Sequence, residues 1–121
     1  MQRKIKFRAW HLGHKRMFTG DELISIDFKK KGALLYFQYG WTTLATLHLM
    51  QFTGLNDKNG KEIYEGDILK ANYTDLLTVV FENGSFCFAN NINSGSDRLH
   101  QNRTERLEVV GNIFENPELT P

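Results

Sequence analysis

Four carboxylates crowd one short stretch of this sequence, Asp57, Glu62, Glu65 and Asp67. Such oxygen donors suit a hard cation, but a calcium loop of the EF-hand type needs glycine at its sixth position. Counting from Asp57, the glycine is Gly60, the fourth residue, so the pattern fails. Asp57-Lys-Asn-Gly60 instead has the residue types of a tight hairpin turn, and Glu65-Gly-Asp67 those of a second bend. The histidines fare no better as ligands. His11 and His14 are three apart, His48 and His100 stand alone, and there is a single cysteine, whereas a structural zinc site wants four ligands. They read as exposed turn histidines. The chain has no Gly-x-Ser-x-Gly, no phosphate-cradling P-loop and no dinucleotide fingerprint. No catalytic residue, metal or cofactor is expected, and an enzyme is the weaker class.

Cationic chemistry is the sharper possibility. In residues 4–10, Lys4, Lys6 and Arg8 alternate with Ile5, Phe7 and Ala9, which on a strand makes one cationic and one apolar face. Arg3, Lys4, Lys6, Arg8, Lys15 and Arg16, extended by Lys29–Lys31, could neutralise phosphates. Trp10, on the cationic face, could stack on a base of a single strand. Against this stand a net charge of only +1 and a pI near 7.9. An edge strand whose lysines repel stray strands is the competing reading. The charge is nonetheless uneven. Residues 1–31 carry nine basic and three acidic side chains, net +6, and residues 32–121 carry six and eleven, net −5. That separation can serve an anionic partner or let one subunit's front meet another's back.

The elements that must position these residues are short and extended. After the strand at 4–10 comes a turn at 11–16, then a strand with Ile24, Ile26 and Phe28 on one face. Lys29-Lys-Lys-Gly32 makes a turn with glycine available for positive φ. Leu34 to Tyr39 reads as a strand with Leu35, Phe37 and Tyr39 together. Residues 44–52 fit a helix face loosely, but the threonines and aromatic neighbours favour a strand. Strands then follow at 68–73 and 77–81, with an Asn83-Gly84 hairpin signal and a return strand carrying Phe86, Cys87 and Phe88. Residues 90–104 read as a long surface loop, 107–114 as a last strand interrupted at Gly111, and 116–119 as a closing turn.

This predicts a mainly β protein. An N-terminal β subdomain over 1–51 precedes an SH3-like barrel over 52–121, the two packed as one compact unit, since each alone would be marginal at this size. At 121 residues the chain is 40% hydrophobic and 24% charged, ordinary for a globular protein. The lone Cys87 excludes an internal disulfide, reads as a small buried strand residue and favours a cytoplasmic setting. No apolar run follows the basic N-terminus and none is long enough to span a membrane, so neither a signal peptide nor a membrane partner is expected.

Three segments carry a family resemblance: Lys6-Phe-Arg-Ala-Trp10, the block Phe52-Thr-Gly-Leu-Asn-Asp-Lys-Asn-Gly-Lys-Glu-Ile-Tyr-Glu-Gly-Asp67, and Glu108-Val-Val-Gly-Asn-Ile-Phe-Glu-Asn-Pro-Glu-Leu119. In order and spacing they resemble the YopX family, small proteins encoded by bacteriophages and prophages. Two positions depart from its pattern: His11 stands where an acid is expected, and Asn56 where lysine is frequent. The resemblance implies β structure followed by an SH3-type barrel in the C-terminal part, in a bacterial host cell. It carries over no catalytic residue. Two functions stay open: a homo-oligomeric structural or interaction module, with a host protein as a further partner, or an accessory nucleic-acid-binding protein using the basic strand.

Overall fold

The computed structural model describes residues 5–71, 75–90, 96–98 and 104–119. The chain is mainly β; among the described residues every strand pair is antiparallel, and four single-turn 3-10 helices punctuate the strands. It divides into two compact units, 5–51 and, from Phe52, the remainder.

In the first unit, β1 (Phe7–His11) lies between β2 (Arg16–Phe18) and the start of β6 (Leu47–Asn56). A second sheet runs β3 (Leu23–Asp27), β4 (Gly32–Leu35), β5 (Gly40–Thr43). The core is Ala9, Phe18, Ala33, Leu35 and Leu47, with Leu23, Ile26, Tyr36, Tyr39, Leu44 and Leu49 packed around it. Burying Phe18 and Leu35 alone contributes about 1.5–3 kcal/mol each.

Three expectations change here. β1 is a central strand with a partner on each side, so it needs no protection as an edge. The strand expected over 34–39 stops at Leu35, because Phe37 takes φ 55 and opens a 3-10 turn, Phe37–Tyr39. That turn swings Tyr39 back onto Phe18, edge to face at 4.8 Å, and leaves Phe37 in solvent. Ile24, Ile26 and Phe28 do not share a buried face. A bulge between Leu23 and Ser25 resets the alternation, so Ile26 packs on the core while Ile24 is exposed, and Phe28 is exposed because β3 ends at Asp27 and the chain turns there. Residues 44–52 resolve into a 3-10 turn, Leu44–Thr46, and then strand.

In the second unit, β6 continues through Phe52–Asn56 against β7 (Glu62–Tyr64). The strands β8 (Asp67–Ala71), β9 (Asp75–Glu82), β10 (Ser85–Asn90) and β11 (Ser96–Arg98) form a meander, and β12 (Leu107–Asn112) returns beside β8. Ile63, Leu69, Leu77, Val79, Phe88 and Leu107 make its core, and Cys87 is buried on β10 as expected. Asn83 and Gly84, at φ 51 and 80, close the β9–β10 hairpin with two left-handed residues, whose twist matches that of the strands. The span expected as a loop, 90–104, contains β11; residues 91–95 and 99–103 lie outside the described ones. β12 bulges at Val110 and ends at Asn112, short of Phe114. There Asn112 Oδ1 accepts from the Phe114 and Glu115 amides at 3.0 and 2.8 Å, bending the backbone off the ladder.

Asp57 explains why the central block looks as it does. Its Oδ1 accepts from the Asn59 and Lys61 amides at 2.8 and 2.9 Å, shaping the turn. Its Oδ2 accepts from the Val109 amide on β12 at 3.0 Å, while the Lys58 amide donates to the Leu107 carbonyl at 2.9 Å. The hairpin tip thus occupies polar groups along the outer edge of β12 that would otherwise stand open. Burial pushes the Asp57 carboxyl pKa up, but the Val109, Lys61 and Asn59 amides and the Lys61 charge outweigh it and hold it below the usual value. Asp67, also buried, accepts from the Tyr64 amide at 2.8 Å across the bend at Gly66, whose φ is 90.

Candidate functional site

The cationic residues singled out in the sequence do not form one face. Arg3 and Lys4 lie outside the described residues. On β1, Arg8 and Trp10 share one side and Phe7, Ala9 and His11 the other. Arg8 registers with the buried Met50 on β6 and is itself only 7% exposed, in place of the open position that alternation suggested. Ala9 is buried too, so both sides of the strand are covered at its centre. Lys6 and Trp10 are half-buried, and Lys15 is exposed in the β1–β2 turn at φ 51.

Arg16 pairs in register with His11, which puts it on the opposite side of the sheet from Arg8 and Trp10. It is the centre of an aromatic box. The guanidinium carbon stands 4.5 Å from the Phe18 ring centre, 5.3 Å from Tyr36 and 5.2 Å from Tyr39. Its Nη2 donates to Glu22 Oε2 at 2.7 Å and to the Tyr36 hydroxyl at 3.0 Å. That bond to Tyr36 raises the Arg16 pKa above its ordinary value despite the opposing effect of burial, so the cation persists at any working pH. Glu22 is fixed in turn, because its Oε1 accepts from the Thr19 amide at 3.0 Å. Arg16 is therefore a cross-link between β2, the Gly20–Glu22 turn and the 36–39 turn.

His11 is buried, contrary to the exposed turn position expected of it; His14 is exposed in the β1–β2 turn as expected, His48 is exposed but lies on strand β6 opposite Trp10 instead of in a turn, and His100 lies outside the described residues. The reason is local. His11 Nδ1 accepts from the Gly13 and His14 amides at 3.1 and 3.0 Å, and its ring packs on His14 at 4.5 Å. An Nδ1 that accepts two N–H bonds carries no proton, which places the ring's proton on Nε2. Burial first, then the neighbouring His14 charge, push its pKa down.

Lys29–Lys31, named above only as an extension of the basic strand, are exposed in the turn before β4, next to the exposed Phe28. Trp41 on β5 sits over Gly32 of β4, and Phe28 and Lys29–Lys31 lead directly into that glycine. Four aromatics within residues 36–41 were the signal; their direction depended on a turn that alternation does not reveal.

Among the described residues no helix is long and apolar enough to cross a membrane. The crystal structure of protein EF1440 from Enterococcus faecalis superposes with a TM-score of 0.74 at 27% identity, covering 99% of this chain and 100% of that one. No curated protein matches. The YopX protein family model matches residues 6–120. With its three signature segments inside that match, the chain belongs to the YopX family.

Proposed function

We propose that this chain is a non-catalytic interaction module, with an SH3-type barrel in its second unit, that works as a closed homo-oligomer in the cytoplasm. Phe37 carries the reading. It is 84% exposed and held at φ 55, a conformation that costs a bulky residue about 1–3 kcal/mol. A strained backbone presenting an aromatic ring to solvent is explained when a second surface receives the ring. The occupant is a second copy, because the net +6 of residues 1–31 and net −5 of residues 32–121 are complementary front to back. The barrel reading is supported by the order β11-β10-β9-β8-β12, a meander whose last strand returns to its first. The non-catalytic reading is supported by Asp57, Asp67 and His11, each spent on backbone amides.

Analytical ultracentrifugation at tens of micromolar tests it. The wild type should sediment as an oligomer and Phe37→Asp as a monomer with an unchanged circular dichroism spectrum. A monomeric wild type, or a Phe37→Asp variant that assembles equally well, overturns it.

A further inference from the structure

Gly32 and Lys31 hold their conformations for opposite reasons. A β-carbon at position 32 would collide with Cζ2 and Cε2 of the Trp41 indole, so glycine is needed there for the close approach of the ring. The left-handed position of the turn belongs to Lys31, at φ 55, where glycine would be the unstrained choice. The turn therefore keeps a lysine against its backbone preference and gives its glycine to seat a tryptophan. Trp41, so seated, remains 52% exposed.

The surroundings share one chemistry. Phe28 is 62% exposed, its ring braced edge-on against Phe7 at 6.4 Å. Lys29, Lys30 and Lys31 are exposed, and among the described residues none of the three is in an ion pair. Asp27, the adjacent carboxylate in the chain, is turned onto the backbone, its Oδ1 accepting from the Lys30 amide at 2.9 Å.

We propose that residues 28–32 and Trp41 form a binding platform for single-stranded nucleic acid. An unpaired base stacks on the Trp41 indole, and Lys29, Lys30 and Lys31 neutralise the flanking phosphates. A duplex hides the faces of its bases and gains nothing from the ring. An acidic protein surface would use the lysines and likewise leave the anchored indole idle. The site differs from the N-terminal basic strand, whose Arg8 is buried.

The test follows Trp41 fluorescence in the full chain carrying Trp10→Phe, titrated with a dT oligonucleotide, a U oligonucleotide, a mixed-sequence duplex and heparin. Quenching by both single strands is expected. With three phosphates engaged, binding should weaken about twentyfold between roughly 50 and 200 mM salt. Trp41→Ala, followed by anisotropy of labelled dT, should lose about tenfold to a hundredfold in affinity. Trp41→Phe, which keeps a ring, should retain most of it. Lys29→Gln with Lys31→Gln should flatten the salt dependence. The Phe37→Asp variant should bind as the parent does, which separates this site from self-association. Absence of binding at low salt, equal affinity for duplex or heparin, or a folded Trp41→Ala that binds undiminished each overturns the proposal.

Discussion

Removing the Asp57 carboxylate should loosen the second unit by an amount that the geometry allows to be worked out. Asp57→Ala leaves three amides, those of Asn59, Lys61 and Val109, without their acceptor. A hydrogen bond to a charged acceptor contributes about 1.5–3 kcal/mol. Asn59 and Lys61 lie in an exposed turn where water replaces the carboxylate, which reduces their share to about 1 kcal/mol each. Val109 donates from a half-buried strand position and should lose about 2 kcal/mol. The expected destabilisation is then about 4 kcal/mol, a large part of a typical total of roughly 5–15. Asp57→Asn should fall between, since its carbonyl oxygen can still serve the turn while its amide faces the Val109 donor. Urea denaturation at neutral pH measures both variants, and hydrogen exchange at the Val109 amide reports the tie directly. The pKa of Asp57 lies below its unfolded value, so its contribution is complete above about pH 3.9 and is lost as pH falls through the folded pKa. The gap between wild type and Asp57→Asn should therefore close in acid. A loss below about 0.5 kcal/mol in Asp57→Ala, the range of inert surface changes, would refute the reasoning.

Phe37→Gly should raise stability by about 1 kcal/mol in thermal or urea melts, because the left-handed backbone is relieved and little burial is lost; the same change should abolish the assembly proposed above. Gly32→Ala should destabilise the first unit by about 1–3 kcal/mol and shift the Trp41 emission, since the new methyl displaces the indole. His11 should make stability pH-dependent. Its folded pKa is depressed, so its contribution is complete above about pH 6.5 and is lost as pH falls through the folded value. His11→Asn, whose side-chain oxygen can accept the same amide bonds, should remove that dependence in denaturation curves taken between about pH 4 and 8.

Features determined within a few residues were legible in the sequence itself. Asn83-Gly84 and Asp57–Gly60 made the turns their chemistry favours, Cys87 was buried in its strand, and the mainly β character followed from alternation and turn residues. Those are local steric and hydrogen-bonding preferences, written in adjacent positions. The choice of partners is not local. Residues 4–10 read as one greasy and one cationic face, yet β1 became central, because β6, from a distant part of the chain, pairs along the side that the adjacent β2 leaves open, and Arg8 is buried. The bulge beside Ile24 inverted which apolar residues face outward, and Phe37 left its strand so that Tyr39 could pack on Phe18. Gly32 looked like a glycine for a turn and proved to be a seat for a ring nine residues away. Alternation identifies two faces of a strand; only packing, through the area each face can remove from water, decides which one is buried.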